Sequence, residues 1–553
     1  KGLSARAPQY NQDGTLVVVT KPSLKEEAYF GDSYSLELNA AYTQTFAEKH
    51  TIDAKAVFTV SENNGSYFWA SRKDYLSATV DQLFAGSSIG MQNSGNSDEG
   101  GRMGLVGRLK YDFDSRYYIE GSFRYDGSDN FAPGHRWGFF PSVALAWDIT
   151  EEPFFKNLNL KNVNLLKLRG SYGQTGTESG VNRFGYLSTY SLAENAICIG
   201  GNLQSGFNEG ALVSPELLSW YTRNSLNYGI DVAFFNHRLK GSADYFFYVT
   251  KGGLVSPADR YVVPLGTALP QIKSENEHRR EGFEASLRWD DKIGSDFYYE
   301  VGTNMTYYNN LYVKNQGEAL SDLKNPYKRS THQTDYYGIM YMDNGLYQTP
   351  EQVLGVPRRL QSSATKLGDI AYEDINGDGK VDGEDQVRWG MPSAPHFTYG
   401  FDFVLGYKGF TLSGLLYGTG KRNMEFGVTT KKNEAIWVLN DYQLDYWRED
   451  NRDATFPRIS LEALPNGSNN QAASTFWVKN ASFLRLKNLT LEYDFKYKLL
   501  RNVKWLSTCR ANITGANLFT ISNVMDYFDP ETTSTNGGYP VQRVYSLGVT
   551  IGF

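Results

Sequence analysis

His396-Phe397-Thr398-Tyr399-Gly400-Phe401-Asp402-Phe403-Val404-Leu405-Gly406-Tyr407 is the stretch that decides the fold. In an extended strand successive side chains point to opposite faces. Phe397, Tyr399, Phe401, Phe403, Leu405 and Tyr407 then share one face, six large apolar or aromatic groups in a row. His396, Thr398, Gly400, Asp402, Val404 and Gly406 share the other, which is small or polar. A strand of this kind suits lipid on one side and a wet lumen on the other. Residues 239–249 repeat the pattern, with Lys240 and Asp244 on the inner face. Charges there would be costly in a dry sandwich core and are ordinary in a water-filled barrel.

Period-2 alternation recurs along the whole chain. It predicts strands over 34–45, 50–61, 102–113, 116–126, 137–148, 164–173, 222–234, 237–249, 280–290, 296–309, 396–407, 409–418, 481–495, 504–518 and 541–553, with one more near 15–20. Many exceed ten residues, the length of a tilted membrane-crossing strand. The links alternate in length. Short ones fall at 46–49, 114–115, around Asn236, at 291–295 and at Lys408, and 149–163 is intermediate on the short side. Long ones fall at 62–101, 174–221, 250–279, 310–395, 419–480 and 519–540. Short periplasmic turns and long extracellular loops are the habit of outer-membrane barrels. The last strand puts Arg543, Tyr545, Leu547, Val549, Ile551 and Phe553 on one face, and its final aromatic is similar to the signal read by the outer-membrane insertion machinery. The reading is an all-β, antiparallel transmembrane barrel with about 16 strands in these 553 residues.

Composition agrees and excludes other classes. Aromatics reach 15%, with 39 Tyr, whose rings suit a membrane interface. No apolar run is long enough for a membrane-spanning helix, and mean hydropathy is −0.47. Net charge is −6 without a basic cluster, which argues against a nucleic-acid partner. Cys198 and Cys509 fit no zinc or CxxC spacing, and two incidental thiols and a disulfide both remain open.

The sharpest local motif is Asp374-Ile375-Asn376-Gly377-Asp378-Gly379-Lys380-Val381-Asp382-Gly383-Glu384-Asp385, inside the long 310–395 loop. It matches an EF-hand-type Ca²⁺ loop, with oxygen ligands at positions 1, 3, 5, 7, 9 and 12 and Gly at 6. Asp374, Asn376 and Asp378 supply side-chain oxygens. Lys380 supplies its carbonyl, Asp382 binds directly or through water, and Asp385 closes the site. The bland alternative is an ion-free turn, since Asp, Asn and Gly favour turns anyway. A structural Ca²⁺ is the expectation.

The six histidines, His50, His135, His237, His278, His332 and His396, are scattered and read as surface or turn residues. No nucleophile elbow, phosphate loop or dinucleotide fingerprint is present, so the protein is not expected to be an enzyme. Tyr336, Tyr337, Tyr341 and Tyr347 in one long loop, and Trp437, Tyr442, Tyr446 and Trp447 in another, either touch a ligand or pack the loops together. Tyr117, Tyr118 and Tyr125 read as interfacial girdle residues.

Several blocks occur in a specific order. Arg124–Ser128 precedes Arg136-Trp137-Gly138, Phe140-Pro141-Ser142 and Ala146-Trp147-Asp148. Leu166–Arg169 and Ser171–Gly176 follow, then Gly368-Asp369-Ile370 and the 374–379 loop. Phe483–Leu491, Gly515–Phe519 and Asp529-Pro530-Glu531 close the set. Together they resemble the C-terminal barrel part of SusC/RagA-type TonB-dependent transporters. That resemblance implies a barrel of about 22 strands enclosing a plug, in the outer membrane of a Gram-negative bacterium. It implies a SusD-like surface lipoprotein as lid, TonB as energy source, and oligosaccharide or peptide cargo. No plug or TonB-box segment is recognised, so the natural protein is expected to carry several hundred further N-terminal residues. The runner-up is an outer-membrane barrel with a passive binding or adhesive role and no energy coupling.

Overall fold

The computed structural model describes residues 2–4, 9–10, 16–18, 22–76, 79–210, 218–255, 272–355, 365–425, 432–433, 436–437, 444–459, 469–524, 528–531 and 541–553. The wall is one antiparallel run of long strands. They are β1 (Ser23–Phe46), β2 (His50–Arg72), β3 (Gln92–Phe113), β4 (Tyr117–Ser128) and β5 (Trp137–Asp148). Next come β6 (Val163–Thr177), β7 (Tyr221–Phe234), β8 (Leu239–Lys251), β9 (Glu277–Ile293) and β10 (Phe297–Lys314). The run ends with β11 (Phe397–Tyr407), β12 (Phe410–Gly420), β13 (Phe483–Asp494), β14 (Thr508–Ala516) and β15 (Val544–Gly552). Each pairs with the next in sequence. Such a meander satisfies the backbone donors and acceptors strand to strand, as a membrane demands.

Every long strand read from the alternation is present. The sixteenth is not in the wall: Leu16–Val18 forms a short pair with Gln9–Tyr10. A run as short as 15–20 carries too little pattern to tell a wall strand from a local hairpin.

The short links turn tightly. Asp114 and Ser115 adopt φ of 56° and 55°, and Lys408 and Gly409 adopt 48° and 87°. Two successive left-handed residues match the twist of the flanking strands. The intermediate link holds a 3₁₀ turn, Ile149–Glu151, and a short helix, Pro153–Asn157; the Asp148 carboxylate caps it by accepting the Thr150 N–H at 3.0 Å. At the opposite end the long connections gather, with a short one, 129–136, among them.

Strand length divides the wall into two zones. β1 has 24 residues, and at a rise of roughly 3.3 Å each it is about 80 Å long. Crossing a bilayer takes only ~10 tilted residues. The first hairpins therefore stand well beyond the lipid. Their far halves carry the polar stretches Glu62–Ser66 and Gln92–Gly101.

The wall has lipid outside and lumen inside, so it holds little dry core. Burial is concentrated in the long loops. Tyr341, Ile370, Tyr372, Val381, Phe456 and Trp477 pack into one cluster that joins the 315–396 and 421–482 connections. Met424, Ala481 and Val524 form a second, with Phe528 against it.

Candidate functional site

The inner face of the wall is built on registered charges. Arg169 on β6 donates to Asp231 on β7 at 2.8 Å and reaches Asp244 on β8 at 3.0 Å. Gly229 stands opposite both Arg169 and Asp244 in the register. A Cβ at Gly229 would lie 2.5 Å from the Asp244 Oδ1, so the bridge passes over a bare glycine. The device recurs on β9–β11. Arg288 donates to Asp402 at 3.0 Å across Gly302, where a Cβ would fall 2.6 Å from the Asp402 Oδ1. Arg288 also pairs with Glu300. On β3 and β4, Arg108 donates to Glu120 at 2.7 Å. Lys240, placed on the inner face by alternation, pairs with Asp290 at 3.3 Å. The opposite face carries Tyr228, Tyr245, Phe283 and Phe401, all exposed in the isolated chain. Charge within and aromatics without are what a wet-lumen barrel requires.

Tyr118 is a correction. Consecutive strand residues cannot share a face, so Tyr117 and Tyr118 cannot both be girdle residues. Tyr117 points outward, and its hydroxyl donates to Glu152. Tyr125 stacks on Trp137 at 4.8 Å. Tyr118 faces the lumen, its ring 3.8 Å from the Lys167 Nζ.

Among the described residues, most of the aromatics singled out in the two longest loops pack rather than face solvent, while Tyr327 is exposed. Tyr341, Tyr347 and Trp447 are buried. The Trp447 indole N–H donates to Gln348 at 2.9 Å. Tyr336 lies under the Arg388 guanidinium at 3.7 Å, and the Tyr337 hydroxyl accepts the Glu425 N–H at 3.0 Å. Tyr446 packs on the first cluster. Tyr442 and the Trp437 side chain lie outside the described residues.

His396 is a second correction, because it is neither surface nor turn. It is 2% exposed and pairs with Asp335 at 2.9 Å at the base of a long loop. Burial pushes the Asp335 carboxyl up, but hydrogen bonds from His396 and Asn310 outweigh that and leave it below the usual carboxylate value. A lone histidine at a strand boundary gave no hint of a partner 61 residues away. His237 and His332 do occupy turns, at φ of 63° and 61°. Cys198 and Cys509 are free.

The 374–385 segment closes on itself. Asp374 accepts the Gly377 and Gly379 N–H groups at 2.7 and 2.8 Å. Asn376 and Asp378 accept from Asp378 and Lys380, both at 2.9 Å, and Asp382 from Glu384 at 2.9 Å. Asp385, fully buried, accepts from Ile375 at 2.9 Å, Asn376 at 3.3 Å and Asp382 at 2.8 Å. Among the described residues no three His, Cys, Asp or Glu side chains converge as a metal group. Any cation here would therefore depend on the Asn376 amide and the Lys380 carbonyl as well.

The barrel model described as "TonB dependent receptor-like, beta-barrel" matches residues 3–518. This chain belongs to that family. TonB-dependent receptor barrels of the SusC and RagA kind lie in the outer membrane of Gram-negative bacteria, and that is where this receptor resides. It is similar to TonB-dependent receptor P3 of Formosa agariphila, 26% identical over 89% of this chain and 49% of the relative. It is also similar to the TonB-dependent receptor SusC of Bacteroides thetaiotaomicron, 27% identical over 81% of this chain and 43% of that one. The chain spans about half the length of the curated relatives it matches. In structure it resembles a chain of the RagAB peptide importer in the open-open state, with a TM-score of 0.77 at 21% identity, covering 100% of this chain and 57% of that one.

The receptor brings together motifs that the sequence shows only as separate blocks. Arg485, from the Phe483–Leu491 block, is 2% exposed. It donates to Asp529 at 2.7 Å and to Thr520 at 2.8 Å, and it pairs with Glu531, from the Asp529-Pro530-Glu531 block. Lys487 joins at Glu531, 2.8 Å away. In Gly368-Asp369-Ile370 each residue has its own task. Gly368 takes a φ of 80° against the Trp447 ring, Asp369 pairs with Arg458 at 2.7 Å, and Ile370 enters the first cluster. The lumenal bridges had a signal too: an acid and an arginine at inward positions of neighbouring strands. Reading it needs the register, which the loops hide.

Proposed function

We propose that this receptor forms the wall and loop rim of an energy-coupled outer-membrane nutrient importer. A SusD-like surface lipoprotein acts as its lid, TonB drives it, and its cargo is an oligosaccharide or peptide oligomer. The observation that carries the reading is the family match together with the wall itself: a lumenal face of bridged charges under two long loops with their own core. A bilayer-facing exterior with a polar interior suits passage of polar cargo. The relatives named TonB-dependent receptors support TonB coupling, and the likeness to a chain of RagAB supports a two-component assembly. No enzymatic role is proposed. In cells making the receptor at its natural length, uptake of labelled oligosaccharide and oligopeptide pools should stop when TonB is deleted or a protonophore is added. A lipoprotein should co-purify with it. Uptake that continues at an unchanged rate without the proton-motive force would overturn the proposal in favour of a passive barrel.

We also infer that the 374–385 loop takes a structural Ca²⁺, held by Asp374, Asn376, Asp378, the Lys380 carbonyl, Asp382 and Asp385. All six donors are oxygens, the preference of a hard cation. The Asp374 and Asp385 carboxylates already draw the loop around themselves. Calcium titration by calorimetry should give heat that vanishes in Asp374→Ala/Asp378→Ala. The same isotherm in both proteins would sink the assignment.

A further inference from the structure

A cavity of about 280 Å³ opens on the inner wall across β3–β7, near the short-turn end. Lys110, Tyr118, Glu120, Lys167 and Arg169 line it. The Tyr118 ring lies between two ammonium groups, with the Lys167 Nζ at 3.8 Å and the Lys110 Nζ at 5.6 Å. The tyrosine is itself fixed, because its hydroxyl donates to the Ser115 carbonyl at 2.9 Å.

The neighbouring carboxylates are engaged elsewhere. Glu120 and Asp53, which flank Lys110 in the register, both take the Arg108 guanidinium, at 2.7 and 3.5 Å. Asp231 and Asp244 take Arg169. Asp148 accepts from the Thr150 N–H at 3.0 Å, and Asp112 from the Ser115 N–H at 2.9 Å. Among the described residues, neither Lys110 nor Lys167 has a carboxylate within ion-pair distance. On a wall where the other inward charges described above are bridged, two cations facing one cavity stand apart.

We propose that this cavity is an oxyanion site that takes a carboxylate. Lys110 and Lys167 supply the charge, and the Tyr118 ring holds both ammonium groups toward the space between them. A ring face attracts a cation without neutralising it, so the lysines remain available to an anion. The carboxylate belongs either to a solute in the lumen or to an acidic side chain of a polypeptide segment seated there. The inference rests on the barrel and its inner face. It does not depend on TonB coupling or on the lid.

Two arms test it on the receptor at its natural length in detergent micelles. In the first, lysines are reductively ¹³C-methylated, and the Lys110→Arg and Lys167→Arg variants assign the two resonances. Sodium acetate should move both saturably, while sodium chloride at equal ionic strength should not. In the second, a zero-length carbodiimide is applied to unmethylated protein and the products are mapped by mass spectrometry. If a polypeptide segment supplies the carboxylate, Lys110 or Lys167 is joined to an Asp or Glu outside β2–β8, and acetate has no effect. A saturable acetate response or such a cross-link supports the site, and tells the two sources apart. Acetate and chloride acting alike, with cross-links absent or confined to the carboxylates of β2–β8, would overturn it.

Discussion

Arg485 and Asp529 are 44 residues apart in sequence and 2.7 Å apart in space, and the arginine is nearly sealed from water. The guanidinium fork also reaches Glu531 and Thr520. The pair therefore ties the long-loop end of β13 to the connection before β15. A buried pair is weak evidence of net stabilisation, but breaking one side leaves an uncompensated charge that costs about 3–5 kcal/mol. Arg485→Met should accordingly lose hydrogen-exchange protection at 520–522 and 528–531. Arg485→Lys should fail to restore it, because an ammonium cannot serve three acceptors in a fork. Wild-type protection in both variants would refute this role.

The glycine-spaced bridges make a geometric prediction. Gly229→Ala and Gly302→Ala each place a methyl group in contact with a bridging aspartate. Overpacking of this kind costs about 1–3 kcal/mol. Gly121, with open space around its Cβ position, is the control. Denaturant titration, followed by the heat-modifiable mobility of the folded barrel, should show the first two shifted and Gly121→Ala unchanged.

The Asp335–His396 contact gives a pH dependence with a definite sign. The Asp335 carboxyl sits below its ordinary value of 3.8 in the folded protein. A depressed carboxylate contributes stability above its unfolded pKa, and the contribution fades as pH falls through the folded value. Protection of the loop base around 310–335 should thus hold steady from neutral pH down to about 4 and fall only below that. Asp335→Asn should flatten that acid limb. A limb that persists unchanged in the variant would assign it to another group.

Asp385 and Asp378 should separate the frame of the 374–385 loop from its cation. Asp385 is buried and accepts three backbone N–H groups, and orphaning buried donors costs roughly 1–3 kcal/mol each. Asp378 is exposed and accepts one. Limited proteolysis should find Asp385→Ala cut in this loop with or without calcium. Asp378→Ala should resist as wild type does in chelator and lose only the added protection that calcium confers. Equal cleavage of the two variants in chelator would contradict the division.

Much of the barrel was legible because its physics is local. Alternation of the kind in Phe397–Tyr407 depends only on which side of a strand each residue faces, and lipid and water impose opposite demands on those sides. Fifteen wall strands could therefore be read one at a time, and short links with left-handed residues such as Asp114 and Ser115 marked their ends. The same logic placed Asp244 inward. It also turns Tyr118 inward, against a girdle role, because its neighbour Tyr117 takes the outer face.

The sequence by itself determined the class of fold, the inner and outer faces, and the end at which the loops lie. Tertiary structure alone decided which charges meet. Arg169 finds Asp244 only once β6, β7 and β8 are in register, and Arg485 finds Asp529 only once a long loop has folded back. Side-chain direction repeats every two residues and is written along the chain. Partnership across a barrel depends on register and on loop packing, which no short stretch of sequence contains.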